Sequence, residues 1–257
     1  MLHAISQKKG TLYRRYLGCR EKDEVNNKIK VNEEDEITAL LLGPLALFPR
    51  KISALFWGEL LKKLDAPNVP VGLPCEATMK FWPSRPNGKG GRIEPDLHIS
   101  LTWDNREEYV ILVELKWRAP LSGEDQLHKQ WVEYLCQSER EKGWHIFIGK
   151  ETSEALKALS REDVWRGRLL PVTWHELLGM FDDISGKSEF ENLEPWFFQV
   201  AIVLDRLSIR RFRGFKYLCT MVSDNICFSD VQWKVRLWEA SSCRPVNLQR
   251  HLPIFFK

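Results

Sequence analysis

Asp96, Glu114 and Lys116 are three charged residues whose types and spacing can support hydrolytic chemistry. Residues 93–103 alternate polar and apolar side chains, so Asp96 is expected on the polar face of a strand. Residues 108–117 form a second strand that is apolar on both faces except for Glu114 and Lys116 near its end. Because buried charges are costly unless they are paired or bind a metal, these two residues are candidates for a functional role.

The turn at 104–106, Asp-Asn-Arg, predicts how the two strands pair. A hairpin centred on Asn105 places Asp96 opposite Glu114, with Cβ atoms about 5 Å apart. Two carboxylates this close repel unless a divalent cation lies between them. Lys116 projects on the same side, where an ammonium can orient a water and stabilise negative charge at a phosphate. A register slip of one residue would place the two carboxylates on opposite faces, so the prediction depends on the turn.

Pro95-Asp96, followed by a hydrophobic strand that ends Glu114-Leu115-Lys116, resembles the Pro-Asp…Glu-x-Lys signature of the PD-(D/E)XK nuclease superfamily. The resemblance implies that Asp96 and Glu114 bind magnesium together with the main-chain carbonyl of Leu115. It also implies that Lys116 positions the attacking water.

Gln130 and Tyr134 resemble the Gln-x-x-x-Tyr motif of the exonuclease-like branch of this superfamily. A spacing of four places both side chains on one face of a helix, so both can face the site. The family often carries a glutamate on its first helix; Glu34 is our choice for that metal ligand, with Glu36 as the alternative. The resemblance covers residues 32–175 and leaves the C-terminal third unmatched.

Two residues close to the predicted site, Glu94 and His98, can each be interpreted in two ways. Glu94 shares the predicted face of Asp96 and is either an auxiliary ligand or an exposed carboxylate at the strand end. His98 lies on the same face, but a lone histidine is more often structural, and we leave it out of the predicted site.

The resemblance implies a metal-dependent nuclease that uses Mg²⁺ or Mn²⁺ and cleaves DNA, with RNA as the alternative substrate. The resemblance also implies a role in defence against foreign DNA or in DNA processing. A protein partner that supplies specificity and a homo-oligomer are further expectations. A competing interpretation is a catalytically silent module of the same fold that binds nucleic acid or a protein. Another is a nuclease that acts on a small nucleotide or needs a signalling ligand.

The elements that must position these residues form an α/β protein with a restriction-endonuclease-like core. We expect a mixed central sheet flanked by helices, with helical N- and C-terminal additions. The predicted domains are an extension at 1–31, the nuclease core at 32–182 and a C-terminal extension at 183–257 packed on the core. One helix is expected to begin at Glu33, capped by Asn32, and another to reach Ser138 after the capping-box pair Ser122 and Asp125. Further helices are expected at 51–64, 152–159, 174–181 and 195–211. Strands are expected at 77–82, 93–103, 108–117, 144–149 and 169–173, and a loop at 83–91.

Composition sets the limits for these interpretations. The chain has 257 residues, of which 44% are hydrophobic and 28% charged, as in an ordinary globular protein. Apolar runs are too short to span a bilayer and the N-terminus lacks a secretory signal, so we expect no membrane association and a cytoplasmic location. Six cysteines without a Cys-x-x-Cys pair argue against a zinc ribbon and predict buried free thiols.

Basic residues are the remaining candidates for phosphate contact, since the net charge is only +3. They form a cluster at 206–217, with aromatic neighbours, and occur in the loop at 85–92. For each, a solvated surface is an equally good explanation. The sequence lacks a phosphate-binding Gly-x-x-x-x-Gly-Lys loop, a Gly-x-Ser-x-Gly elbow and a His-x-x-x-His pair, which argues against nucleotide-loop, serine-hydrolase and zinc-hydrolase chemistry.

Overall fold

A mixed five-stranded sheet forms the centre of the computed structural model, which describes residues 33–210 except 89, 118–120, 122 and 124. The strand order is β1-β4-β5-β6-β7. β1, β4 and β5 are mutually antiparallel neighbours, whereas β5, β6 and β7 run parallel. The bounds are β1 Glu76–Phe81, β4 Leu97–Thr102, β5 Glu108–Leu115, β6 Gly143–Gly149 and β7 Leu169–Thr173, while β2 Arg85–Pro86 and β3 Arg92–Ile93 form a separate small ladder. The predicted α/β class with a mixed central sheet is confirmed.

Helices cover both faces of this sheet. One face carries a large core to which α1, α2, α6 and α7 contribute, and the other carries a smaller core formed with α3 and α5. The helices are α1 Glu33–Leu41, α2 Arg50–Lys63, α3 Gln126–Lys129, α4 Gln137–Glu141, α5 Ser153–Arg161, α6 Trp174–Ile184 and α7 Glu194–Arg206, with a π-helical turn Gln130–Tyr134 and 3-10 turns Pro44–Leu47 and Ser188–Leu193.

The central strand β5 is buried on both faces, as its sequence predicts. Every residue from 110 to 115 is buried. Ile111 and Val113 point into the larger core, and Val110 and Leu112 point into the smaller one. This alternation leaves Glu114 on the face of the smaller core, at the end of the strand.

The register of the β4–β5 hairpin is the predicted one. Leu97 pairs with Val113 and His98 with Leu112, and continuing this register by one residue places Asp96 opposite Glu114. The turn closes with Arg106 in the left-handed region at φ 61. The strand itself is shorter than predicted: it begins at Leu97 rather than at 93, because Pro95 has no N–H to extend the ladder toward β5.

The helix predicted to run to Ser138 is wrong as one element. α3 passes into the π-helical turn, and the chain is extended at Leu135 and Cys136 before α4 begins. Glu139 accepts a hydrogen bond from the Cys136 N–H at 2.8 Å, which caps a new helix instead of continuing the old one. Ser122, the predicted cap of this helix, lies outside the described residues.

Smaller corrections concern the loop at 83–91 and the last helix. The loop contains β2 and leads into β3, so it is a short hairpin and not irregular throughout. The helix predicted at 195–211 ends at Arg206 because Ser208 adopts φ 68, where a right-handed helix cannot continue. Cys75 is half-buried and Cys136 exposed; both are free thiols, but the expectation that they are buried is wrong.

The part of the chain after residue 182 that the structure describes belongs to the larger core. Trp196 of α7 contacts Phe56 at a centroid distance of 5.0 Å and Phe181 at 5.5 Å. The predicted extension at 1–31, the cap at Asn32 and most of the basic cluster at 206–217 lie outside the described residues. Within the described ranges, the helices are too short or too polar to cross a membrane.

Candidate active site

Glu114 is the centre of a polar cluster at the carboxyl end of β5. Its side chain is buried, with the residue 2% exposed. Lys116 Nζ lies 2.8 Å from Oε1, and Gln126 Nε2 donates to the same oxygen at 2.6 Å. Gln130 Nε2 donates to Oε2 at 2.7 Å. Both carboxylate oxygens are therefore held by donors, as a buried charge requires.

Asp96 reaches the same strand end from β4, where the backbone ladder stops. Its Oδ2 accepts the Leu115 N–H at 2.7 Å, so the carboxylate takes a bond that the β4 backbone would otherwise make. In an antiparallel pair, the N–H and C=O of one residue point to the same neighbouring strand. The Leu115 carbonyl therefore also faces the β4 side, where Pro95 has no N–H to donate. This arrangement turns a main-chain oxygen toward Asp96.

Lys116 connects the strand end to the first helix. Its Nζ lies 3.4 Å from Glu34 Oε2 as well as 2.8 Å from Glu114. Glu34 Oε1 accepts the Trp117 N–H at 2.9 Å, so the start of α1 is fixed over the end of β5. The structure thus brings Glu34 to the cluster, as the sequence predicts. Burial alone would lower the pKa of Lys116, but Glu114, Asp96 and Glu34 outweigh it and raise the pKa above its ordinary value, so the ammonium stays charged.

The charge balance around Asp96 is negative. Burial raises the pKa of Asp96 most, and the neighbouring carboxylates of Glu114 and Asp35 raise it further. Lys116 and the Leu115 N–H lower it, but the net pKa is well above the ordinary value. A bound cation would lower this pKa, because its charge would offset both the burial and the neighbouring carboxylates.

Gln130 and Tyr134 point to different partners. Gln130 contacts Glu114, whereas the Tyr134 hydroxyl lies 3.1 Å from His98 Nδ1. The Arg85 guanidinium lies 4.4 Å above the Tyr134 ring and donates to the Tyr134 carbonyl at 2.7 Å. Burial and then the Arg85 charge lower the pKa of His98 to about 4, so His98 is neutral at physiological pH. His98 therefore lies next to the predicted motif through Tyr134, although the sequence argument left it out.

Arg85 is engaged within the protein. It forms a bidentate pair with Glu139, at 2.7 and 2.8 Å, and this pair lowers the pKa of Glu139 to about 2. Arg92 donates to Ser84 Oγ at 2.7 Å. Phosphate contact by this hairpin stays a prediction, and so does the auxiliary role of Glu94, which is exposed.

Sequence reasoning missed Asp35, Gln126 and His145. Gln126 lies four residues before Gln130, so helical spacing could have found it. Asp35 is 7% exposed, and its charge raises the pKa of Asp96. The direction in which its side chain points depends on the residue at which α1 begins. His145 is a polar residue in the buried strand β6 and hydrogen-bonds Gln130 at 3.1 Å. A polar residue within a buried strand is also the feature that made Glu114 a candidate.

The donors at the strand end fit a hard divalent cation. Asp96, Glu114, the Leu115 carbonyl and Glu34 offer only oxygen atoms, which Mg²⁺ and Mn²⁺ prefer. Among the described residues, no group of three or more His, Cys, Asp or Glu side chains is arranged as a ready metal cage. An ion here would compete with Lys116, which contacts both Glu114 and Glu34.

Comparisons with known proteins give no match: no family model, no curated protein and no solved structure matches the chain.

Proposed function

We propose that the chain is a metal-dependent nuclease of the PD-(D/E)XK type, built on a restriction-endonuclease-like core, that hydrolyses phosphodiester bonds in DNA. One observation carries the proposal: Asp96 and Glu114 lie opposite each other where β4 and β5 end, with Lys116 in contact with Glu114. The position in the sheet supports it, because the site lies at the carboxyl end of β5, the strand between β4 and β6. Ligands of open α/β sheets bind in the crevice outside the carboxyl ends of the strands.

Asp96, Glu114 and the Leu115 carbonyl are the groups that would hold Mg²⁺ or Mn²⁺, with Glu34 as a further ligand. When bound, such an ion generates a nucleophile from water and stabilises the charge that develops on the phosphate. Gln126 and Gln130 hold the carboxylate of Glu114 from the helical side, so its orientation is set before any ligand arrives.

Lys116 is a hydrogen-bond donor and a positive charge of the site in this proposal. Before any cation binds, the carboxylates of Glu114, Asp96 and Glu34 raise the pKa of Lys116, so its side chain is an ammonium. It can donate hydrogen bonds to the attacking water and to a phosphate oxygen, since it lies on the same side of β5 as Glu114. Lys116 thereby orients the water and stabilises negative charge that increases in the transition state.

The substrate class follows from the same chemistry. A cation and an ammonium can together stabilise the negative charge that develops when a phosphodiester is hydrolysed, and the oxygen ligands and Lys116 at the strand end would supply them. DNA is the proposed substrate and RNA the alternative. A role in defence against foreign DNA or in DNA processing, with a protein partner or a second copy of the chain, is proposed on the resemblance alone.

The test is cleavage of supercoiled plasmid and of end-labelled DNA and RNA oligonucleotides with Mg²⁺, Mn²⁺ or a chelator. Wild-type protein should cut with either ion and stop cutting with the chelator, and Asp96→Asn and Glu114→Gln should be inactive. Both variants keep the size of the side chain, so their unfolding temperatures serve as the control for folding. A silent binding module predicts instead that no substrate is cut under any condition while nucleic acid is still bound.

A further inference from the structure

A buried chain of hydrogen bonds runs from Glu114 into the smaller core. Gln130 Nε2 donates to Glu114 Oε2 at 2.7 Å, and Gln130 Oε1 lies 3.1 Å from His145 Nε2. The indole N–H of Trp165 donates to His145 Nδ1 at 3.1 Å. All members are buried: Glu114 is 2% exposed, Gln130 and Trp165 1%, and His145 0%.

The donor and acceptor roles in this series of hydrogen bonds are fixed by its last residue, Trp165. An indole N–H can only donate, so His145 Nδ1 must accept, and a neutral imidazole then carries its proton on Nε2. Burial lowers the pKa of His145 to about 3, which keeps the ring neutral at physiological pH. Because Nε2–H donates to Gln130 Oε1, the Gln130 amide must direct its N–H group toward Glu114.

The alternative amide orientation would be harmful at this site. A glutamine side chain can rotate its oxygen and nitrogen into each other's place at little cost when its surroundings allow it. A rotated Gln130 would bring its oxygen against the buried carboxylate of Glu114. Two acceptors facing each other without water would displace Glu114 from its position opposite Asp96.

We propose that His145 and Trp165 are positioning residues of the candidate active site, which hold the Gln130 amide so that Glu114 stays in place to bind a metal ion. The chain acts at a distance: Trp165 fixes the tautomer of His145, His145 fixes the amide of Gln130, and Gln130 fixes Glu114. The consequence for metal binding rests on the proposed function, whereas the tautomer of His145 does not.

Trp144 offers a matched control for Trp165. It precedes His145 in β6 but points into the other core, where its Nε1 donates to the Pro67 carbonyl at 2.9 Å. Trp144→Phe and Trp165→Phe therefore each remove one indole donor from a buried ring. If Trp165 only fills the core, the two substitutions should lower stability by similar amounts, and neither should change metal binding.

The experiment measures Mn²⁺ binding by calorimetry and by electron paramagnetic resonance on the whole chain. We expect Trp165→Phe to weaken Mn²⁺ binding, but by less than the roughly tenfold that follows loss of a hydrogen bond made directly to a metal ligand, because Trp165 acts through His145 and Gln130. Trp144→Phe should bind like the wild type. His145→Gln, which keeps a donor toward Gln130, should bind more tightly than His145→Leu, which has none. Equal Mn²⁺ affinity in Trp165→Phe, Trp144→Phe and the wild type would overturn the proposal.

Nitrogen NMR of the histidine side chains tests this series of hydrogen bonds in the absence of metal. His145 should be a neutral imidazole with its proton on Nε2 from pH 5 to pH 8, and should shift toward the other tautomer in Trp165→Phe. A proton on Nδ1 in the wild type would overturn the positioning chain. Mn²⁺ that binds wild type and Asp96→Asn equally would instead contradict the proposed function, and would leave the tautomer result as it stands.

Discussion

Acidification should destabilise the folded chain through two buried histidines. The pKa of His145 is lowered from 6.5 to about 3 and that of His98 from 6.5 to about 4. Each group has a folded pKa below its unfolded pKa, so its contribution to stability is complete above pH 6.5. That contribution is lost as the pH falls through 6.5 toward the folded value, because the unfolded chain takes up a proton that the folded chain does not.

The magnitude follows from these values. At pH 5, an unfolded histidine of pKa 6.5 is almost fully protonated while the buried one is still neutral. Each histidine then lowers the free energy of unfolding by about 2 kcal/mol between pH 8 and pH 5, and the two together by about 4 kcal/mol. This difference depends little on the exact folded pKa, provided that it stays near 4 or below.

The assay is urea denaturation at pH 8 and pH 5 in the presence of a chelator, on the wild type and on His145→Gln. The variant should be less stable at pH 8, but it should lose about 2 kcal/mol less than the wild type on acidification. Comparing the two proteins removes the contribution of Asp96, whose raised pKa works in the opposite direction by favouring the folded state as the pH falls. His175→Gln, a substitution at an exposed position of α6, controls for the loss of a histidine as such. Equal loss of stability in wild type and His145→Gln would refute the neutral state of His145 and the direction of its hydrogen bonds.

Further expectations separate stability from metal binding. Tyr134→Phe removes the hydrogen bond to His98 and should lower the free energy of unfolding by about 1 kcal/mol, measured in urea, while Mn²⁺ affinity stays within a factor of two or so. Glu34→Gln keeps an acceptor for the Trp117 N–H but removes a charge. The free energy of unfolding should therefore change little, while calorimetry shows weaker Mn²⁺ binding. Unchanged binding would remove Glu34 from the ligand set. Asp35→Asn should likewise weaken Mn²⁺ binding, but less than Asp96→Asn, since it acts on Asp96 only through charge; a larger effect than that of Asp96→Asn would make Asp35 a direct ligand.

The hairpin that carries the site was predictable because its information is local. The polar turn at 104–106 predicts a hairpin centred on Asn105, and the register of that hairpin places Asp96 opposite Glu114. Glu34 was chosen for a different reason: the family that the motifs resemble often carries a glutamate on its first helix, and the structure places Glu34 beside Lys116.

The network behind Glu114 was not predictable, because its parts meet only in the folded chain. His145 and Trp165 lie on β6 and on the segment after α5, and their contact depends on how β6 packs beneath the π-helical turn. The turn itself replaces a regular helix, so the directions of Gln130 and Tyr134 diverge toward Glu114 and His98. A pattern based on a regular helix places both residues on one face and misses this difference.

Lys116→Met tests the central claim most directly, because it removes the ammonium and keeps the length of the side chain. Mn²⁺ binding and DNA cleavage are measured on the same preparations, with Lys63→Met as the control, since Lys63 also pairs with a carboxylate, Asp183, at 2.9 Å. We predict that Lys116→Met binds Mn²⁺ at least as tightly as the wild type, since Nζ no longer competes for Glu114 and Glu34. Cleavage should fall about 100-fold or more, while Lys63→Met cuts like the wild type. Equal cleavage by Lys116→Met and the wild type, on DNA and RNA with either ion, would contradict the account.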